Sequence, residues 1–404
     1  MDRLKILFVT WDGPQVNYLQ SLFLPIFERL AEHGVRVDVL QFRWGPEAQA
    51  EEIAALCARA GCGYRHSTIR RGLAGLGPFA TAVAGGREVR RAVRDFGSDV
   101  IMPRSHMPAI AAGAAGGSRF RPLLFDADGF PADEKVEFGA LSASGPTYHI
   151  LRRVEAWAAR SAGSVIVRSA AAARILAERA GIGPERFHVV VNGRDGSVFH
   201  PHDERARLAV RSELGIAPAA PLAVYAGSVG PQYRFDLIRD FAAALARLRP
   251  DARLLVLSGS PELAQAELGE AAPLAPIVIR ASPAGVGRYL AAADIGLAFR
   301  ARSFSVQGVA PVKLGEYLLC GVPVVGNSAV GDTGEALEAG VFLDDGAGPE
   351  AAAAWLVGEV LADREAYRSR ARAVGVSGFS LQRSVEDYLA AIAPLRDGRG
   401  EMKA

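Results

Sequence analysis

Lys313 and Glu316 stand three residues apart in the run Pro311-Val-Lys-Leu-Gly-Glu-Tyr-Leu-Leu-Cys-Gly-Val-Pro-Val-Val-Gly-Asn327. The pattern predicts a short helix that opens at Pro311 and closes at Gly321, with Pro323 just beyond it and a buried strand next. The cation and the carboxylate then share one helical face in the first turn. Free backbone N–H groups and the helix dipole at the same end favour an anion. Such a site can hold a phosphate and a ribose together. The carboxylate accepts from both ribose hydroxyls, and the cation neutralises leaving-group charge. The dipole alone also favours an acid in a first turn, with no ligand needed.

A second element suits the same chemistry. Tyr225-Ala-Gly-Ser-Val-Gly-Pro231 follows an apolar run, and Gly227 and Gly230 permit close backbone approach to a phosphate, although such glycines also serve simple turns. Arg234 could meet that phosphate or be a solvated arginine. Ser305 and Gly308 precede the Lys313 helix in a further loop.

These pieces need elements to position them, and the chain supplies an alternating series. Short apolar runs at Lys5–Thr10, Val35–Phe42, Asp99–Met102, Leu123–Phe125, Ser164–Val167 and His188–Val191 read as strands between helical stretches. A second series runs Leu222–Ala226, Arg253–Ser258, Ile277–Ile279, Ile295–Phe299, Pro323–Val325 and Val341–Leu343. Helices near Pro349–Arg372 and Leu381–Leu395 finish the chain. The alternation predicts α/β units with parallel sheets. The polar stretch Val198–Ile216 reads as a linker. At 404 residues the chain exceeds what one core serves. The expected division is therefore residues 1–200 and 201–374, with a final helix, about 375–404, packing back on the first domain. Ligands of such sheets bind at the carboxyl ends of the strands.

Composition narrows the class. Half the residues are hydrophobic, 22% are charged and the net charge is +2, an ordinary globular balance that gives no argument for nucleic acid. Only four of the 46 basic residues are lysines (Lys5, Lys135, Lys313, Lys403), so a lysine kept at 313 is informative. Three cysteines without a paired framework suit a reducing cytoplasm. The N-terminus reads as a strand rather than a signal peptide, and no apolar run reaches membrane-spanning length.

The residues also carry a family resemblance. Tyr289-Leu-Ala-Ala-Ala-Asp294-Ile-Gly-Leu followed by the Pro311–Val325 run resembles glycosyltransferase family 4. Val191-Asn-Gly-Arg-Asp195 with Phe199 and Pro201 is similar to that family's junction segment, and Glu155–Ser169 to the segment leading into it. The resemblance implies the GT-B architecture, two Rossmann-like domains facing across a cleft. It implies a retaining transferase that takes a nucleotide-diphosphate sugar and an acceptor hydroxyl, with no metal, cofactor or covalent nucleophile. Two departures stand out. The family's paired glutamates reduce to Glu316, with Gly308 in the first position. The loop cations fall on Ser228 and Tyr233, with Arg234 one place late. Donor contacts are expected from Gly13, Gly227, Ser228, Arg234, Lys313 and Glu316.

The first half should choose the acceptor. Its loops are Trp11–Gln15, Pro103-Arg-Ser-His106 and Phe125-Asp-Ala-Asp-Gly-Phe130. Asp126 and Asp128, two apart on an extended segment, point the same way, and one could orient or deprotonate a hydroxyl. Asp128 and His106, with Lys313, are the catalytic candidates, and Asp126 and Arg104 the acceptor contacts. An Asp capping the next turn and a structural His are the bland alternatives. The Asp-x-Asp pair also resembles a GT-A metal site, a reading the late Glu316 motif disfavours. Retention would proceed by front-face attack, the departing diphosphate taking the acceptor proton. Arg87, Arg90, Arg91 and Arg94 form a helical stripe, with Arg65, Arg70 and Arg71 shortly before it. That stripe is a solvated face or a contact for anionic membrane suited to a lipid-linked acceptor. Rival readings are a nucleotide-sugar 2-epimerase or hydrolase on the same architecture, and a non-catalytic transferase-like binding subunit.

Overall fold

Leu4–Asp12 (β1) pairs in parallel with Val35–Arg43 (β2) along its whole length, because both runs are apolar enough to be covered on two faces. The computed structural model describes residues 3–70, 72, 76–270, 272–282, 285–328, 330–332, 340–343 and 348–402. Within these, Tyr64–Thr68 (β3) and Val100–Pro103 (β4) complete a parallel sheet of order β3-β2-β1-β4. Leu124–Asp126 (β5), Ser164–Val167 (β6) and Phe187–Val189 (β7) form a second parallel sheet. Isolated parallel bridges at Ile101–Leu123 and Arg104–Asp126 join β4 to β5. Phe8 points to one face, against Phe23 and Phe27 at 4.9 and 5.2 Å. Leu7 and Val9 point to the other, into the core that also holds Phe125 and Val165.

The second series builds one six-stranded parallel sheet. Its strands are Leu222–Ala226 (β8), Arg253–Leu257 (β9), Ile277–Ile279 (β10), Ile295–Ala298 (β11), Val324–Asn327 (β12) and Gly340–Leu343 (β13), in the order β10-β9-β8-β11-β12-β13. The period of two splits β8 cleanly. Leu222, Val224 and Ala226 enter one core and Ala223 and Tyr225 the other.

The chain divides into two compact units: Met1–Val191 with Gln307–Val309 and Ser384–Ala404, and Asn192–Val306 with Ala310–Arg383. The boundary thus falls nine residues before the expected residue 200. Arg194 N–H donates to Phe379 O at 2.9 Å, Leu381 N–H returns to Arg194 O at 2.8 Å, and Phe199 is buried in the second unit's core. The last helix, Leu381–Met402, groups with the first unit from Ser384 onward, where Arg396 donates to His33 O at 2.9 Å.

Three expectations need correction. Val198–Ile216 is no linker: it contains the helix Glu204–Glu213, whose Arg207 and Arg211 are buried on Asp294. Ionic burial supplies the packing that an apolar pattern would otherwise announce. The helix expected over 349–372 is broken, with separate helices Pro349–Trp355 and Arg364–Phe379. β3 escapes a hydrophobic reading because Tyr-Arg-His-Ser-Thr is polar and sits at a sheet edge.

Candidate functional site

In the second unit, Pro311 is the N-cap of the helix Val312–Leu319. Lys313 therefore lies in its first turn, whereas Glu316 lies in the second, which corrects the one-turn placement. The two side chains also part company. Lys313 Nζ rests 3.9 Å from the ring centroid of Tyr225 and 4.7 Å from that of Tyr233, with no hydrogen-bond partner. Burial, then the charge of Arg300, holds its ammonium well below the usual lysine range. Glu316 instead accepts from Arg194 Nη2 at 3.0 Å. Burial raises its carboxyl, against the lowering pull of Arg194 and Lys313.

The loop after β8 is built around this lysine. Gly227 has φ +149°, and a Cβ there would lie 2.9 Å from Lys313 Nζ. Tyr225 Oη donates to Ser228 O, which fixes the loop's entry. Arg234 does not join the group: its guanidinium is held by Asp236, with Nε 2.8 Å from Oδ1, and the Arg234 side chain is 36% exposed. A cation the sequence reading missed is there instead. Arg300, just after β11, lies 4.9 Å from the Tyr233 centroid. Its position at a strand's carboxyl end was the available signal. Arg194 stands in the junction segment that carries the resemblance, but its partner Glu316 was not legible there.

In the first unit the end of β1 and the segments after β4 and β5 line a cavity of about 380 Å³ whose walls include Trp11, Arg104, His106, Asp128, Lys135 and Thr147. Arg104 Nη2 donates to Asp128 Oδ1 at 2.6 Å, and Arg168 Nη2 to Asp126 Oδ2 at 2.6 Å. Asp126 is fully buried and committed to Arg168, so it supports the wall rather than meeting an acceptor. Asp126 and Asp128 both face the Arg104 guanidinium, Asp126 Oδ2 lying 3.9 Å from its Nε, although the chain leaves the strand after Asp126 and Asp128 takes φ +56°. Ser105, with φ +68°, is a second left-handed non-glycine residue on the cavity wall. Such strain persists only where surrounding bonds hold it; here Ser105 N–H donates to Asp126 O at 2.8 Å. Asp128's carboxyl is raised, chiefly by burial, against Arg104's opposing pull.

His106 starts the helix His106–Ala114 and is 4% exposed, with burial lowering its imidazole to about 3. It is neutral at physiological pH. Its Nε2 lies 3.8 Å from Glu155 Oε1, and burial pushes the Glu155 carboxyl up to about 7. The two act in opposite directions on stability. His106 contributes stability above its ordinary 6.5 that is lost as pH falls toward 3. Glu155 contributes stability below its ordinary 4.5 that is lost as pH rises through about 7. His106→Gln should therefore flatten the acid limb below pH about 6.5 in urea titrations; an unchanged limb would refute a neutral buried imidazole.

Two glycines have structural duties. A Cβ on Gly13 would meet the Trp44 ring at 2.4 Å. A Cβ on Gly308 would lie 2.8 Å from Phe130 Cδ2 and 3.1 Å from Gly129 Cα. The position where the resembled family has its first glutamate is thus filled by close backbone packing. Gly308→Glu should cost about 1–3 kcal/mol of stability, through overpacking, without tightening nucleotide binding. A denaturation midpoint equal to wild type would contradict this.

Two parallel-sheet units, one bearing this cation–carboxylate helix, are those of the GT-B fold, which solved structures share. The Anabaena protein HepE in complex with UDP-glucose superposes with TM-score 0.69 at 19% identity, covering 97% of this chain and 100% of that one. The putative UDP-N-acetylglucosamine 2-epimerase of Listeria monocytogenes also shares the fold, with TM-score 0.59 at 14% identity, covering 98% and 97%. Residues 25–197 match the model for Glycosyltransferase Family 4. A D-inositol 3-phosphate glycosyltransferase of Segniliparus rotundus is 31% identical over 240 residues, which is 54% of this chain and 51% of the relative. The matches span about half or less of the curated relatives' length.

Among the described residues no helix is long and apolar enough to cross a membrane. Arg87, Arg90, Arg91 and Arg94 lie on the exposed side of the helix Gly86–Phe96. Arg91 is paired with Glu88, and Arg90 Nε donates to Ala115 O at 2.7 Å. Phe79, Val83, Arg87 and Arg90 border an adjoining groove of about 1010 Å³. Arg71 lies outside the described residues.

Proposed function

We propose that this chain is a retaining glycosyltransferase that moves a sugar from a nucleotide-diphosphate sugar to an acceptor hydroxyl without a metal or other cofactor. The observation that carries the reading is Lys313: a buried ammonium with no partner, beside Gly227 and one turn ahead of Glu316. Gly227, Ser228 and Lys313 hold the diphosphate, and Glu316 the ribose. Gly13 shapes the loop after β1. In the first unit Asp128, positioned by Arg104, orients the acceptor hydroxyl, and neutral His106 offers a hydrogen bond. The departing diphosphate takes the acceptor proton by front-face attack while Lys313 offsets the growing charge. The test is transfer from a panel of nucleotide sugars, with EDTA present, to glycan, lipid-linked and inositol phosphate acceptors. Products are read by NMR at the anomeric centre. Retention supports the reading and inversion contradicts it. Sugar released without acceptor would support a 2-epimerase or hydrolase on this fold.

Gly308 motivates the non-catalytic alternative. That reading requires Glu316→Ala to leave cellular function intact, and loss of function with a preserved fold would exclude it. We place the activity in the cytoplasm, consistent with three free, buried cysteines. The arginine stripe and its groove would meet anionic lipid. Wild type should pellet with anionic liposomes at low salt and the fourfold Arg87, Arg90, Arg91, Arg94→Gln variant should not; equal pelleting would sink that contact.

A further inference from the structure

Arg300 and Lys313 share one aromatic wall and lack an anion. Arg300 Cζ lies 4.9 Å and Lys313 Nζ 4.7 Å from the centroid of the same Tyr233 ring. Buried Arg300 Nη1 and Lys313 Nζ have no hydrogen-bond partner, while Arg300 Nη2 reaches only the neutral Gln232 Oε1 at 3.3 Å. Among the described residues no carboxylate pairs with either, because the neighbouring Glu316 is bound by Arg194. Two like charges held together out of water destabilise the fold unless something anionic satisfies both.

The backbone keeps the pair in place. Arg300 N–H donates to Asn327 Oδ1 at 2.9 Å, fixing the residue at the end of β11. Ala301 N–H donates to Gln232 O at 2.9 Å, tying this segment to the loop that carries Tyr233. A planar guanidinium offers two parallel donors to phosphate oxygens, and an ammonium acts as a point charge; together they match an anion of two linked phosphates better than a single one.

We infer that Arg300 is the second cation of a diphosphate-binding site with Lys313, taking the part that Arg234, held by Asp236, does not fill. This rests on the donor reading above and deepens it: the ligand's recognised portion is the pyrophosphate bridge of a nucleoside diphosphate. Arg300 acts on binding of the diphosphate, and its loss should cut preference for diphosphate over monophosphate.

The test is calorimetry on the full chain with inorganic pyrophosphate and with the mono- and diphosphates of uridine, guanosine and adenosine. Wild type is compared with Arg300→Gln, Arg300→Lys and Arg234→Gln, each checked for folding by thermal melt. Arg300→Gln should weaken diphosphate and pyrophosphate binding about tenfold or more and level the diphosphate-over-monophosphate preference. Arg300→Lys should restore part of it, and Arg234→Gln should match wild type. A folded Arg300→Gln protein with wild-type affinity, or one weakened equally for mono- and diphosphate, overturns the inference while leaving the donor reading standing. A wild type that binds no diphosphate and no pyrophosphate overturns both.

Discussion

Lys313→Met gives a protein that melts higher than wild type and no longer responds to nucleotides. Wild-type Lys313 is desolvated, lacks a hydrogen-bond partner and feels the Arg300 charge, which together push its ammonium well down. Cation–π contact with Tyr225 and Tyr233 offsets part of that cost, about 2 kcal/mol when desolvated. Replacing buried charge by an apolar chain of similar volume is often stabilising by about 1–4 kcal/mol. For units of this size each kcal/mol moves the midpoint by roughly 2–4 °C. The sign with pH follows from the lowered lysine: its contribution to stability is present above the unfolded pKa of 10.5 and is lost as pH falls through the folded value. The gain in the methionine variant should therefore be larger at pH 7 than at pH 10. A variant that melts lower at pH 7, or that keeps a nucleotide-induced shift, would show that Lys313 is structural.

Asp294→Asn carries the largest expected loss of stability. Its carboxylate accepts from Arg211 Nη2 at 2.7 Å, Arg364 Nε at 3.1 Å, Arg207 Nη2 at 3.2 Å and Leu222 N–H at 2.8 Å. Arg211 is wholly buried, and its other donors are met by carbonyls such as Ala220 O at 2.6 Å. Removing the charge leaves the wholly buried Arg211 guanidinium without a counter-ion, while Arg207 keeps Glu204 and Arg364 is partly exposed, a loss of about 3–5 kcal/mol. Urea unfolding of the isolated variant measures it. A change below about 1 kcal/mol would mean that the network is as weak as a surface pair.

Asp294 also shows what the sequence could and could not disclose. It is part of the run that resembled the family, yet its duty, holding the helix Glu204–Glu213 and the start of β8, depends on Arg207 and Arg211, more than 80 residues away. Hydrophobic period found twelve strands, because buried parallel strands must be apolar; it missed β3, a polar edge. Local motif reading found Lys313, Glu316 and Gly227, all set by helix starts and strand ends. Pairings were beyond it: Glu316 with Arg194, Lys313 with two tyrosines, Arg234 with its own neighbour Asp236. The glycine at 308 reads in sequence as a lost glutamate. In three dimensions it is a residue against which Gly129 and Phe130 pack so closely that a side chain would force them to shift.

The central claim is that the helix Val312–Leu319 and the loop after β8 bind a nucleotide-diphosphate sugar. Its most direct test is thermal stability across a panel of nucleotides and nucleotide sugars, with EDTA, on wild type and Glu316→Ala. One nucleotide series should raise the wild-type midpoint and leave the variant unmoved; a folded wild type that responds to none of them, or a variant that responds as strongly, would contradict the account.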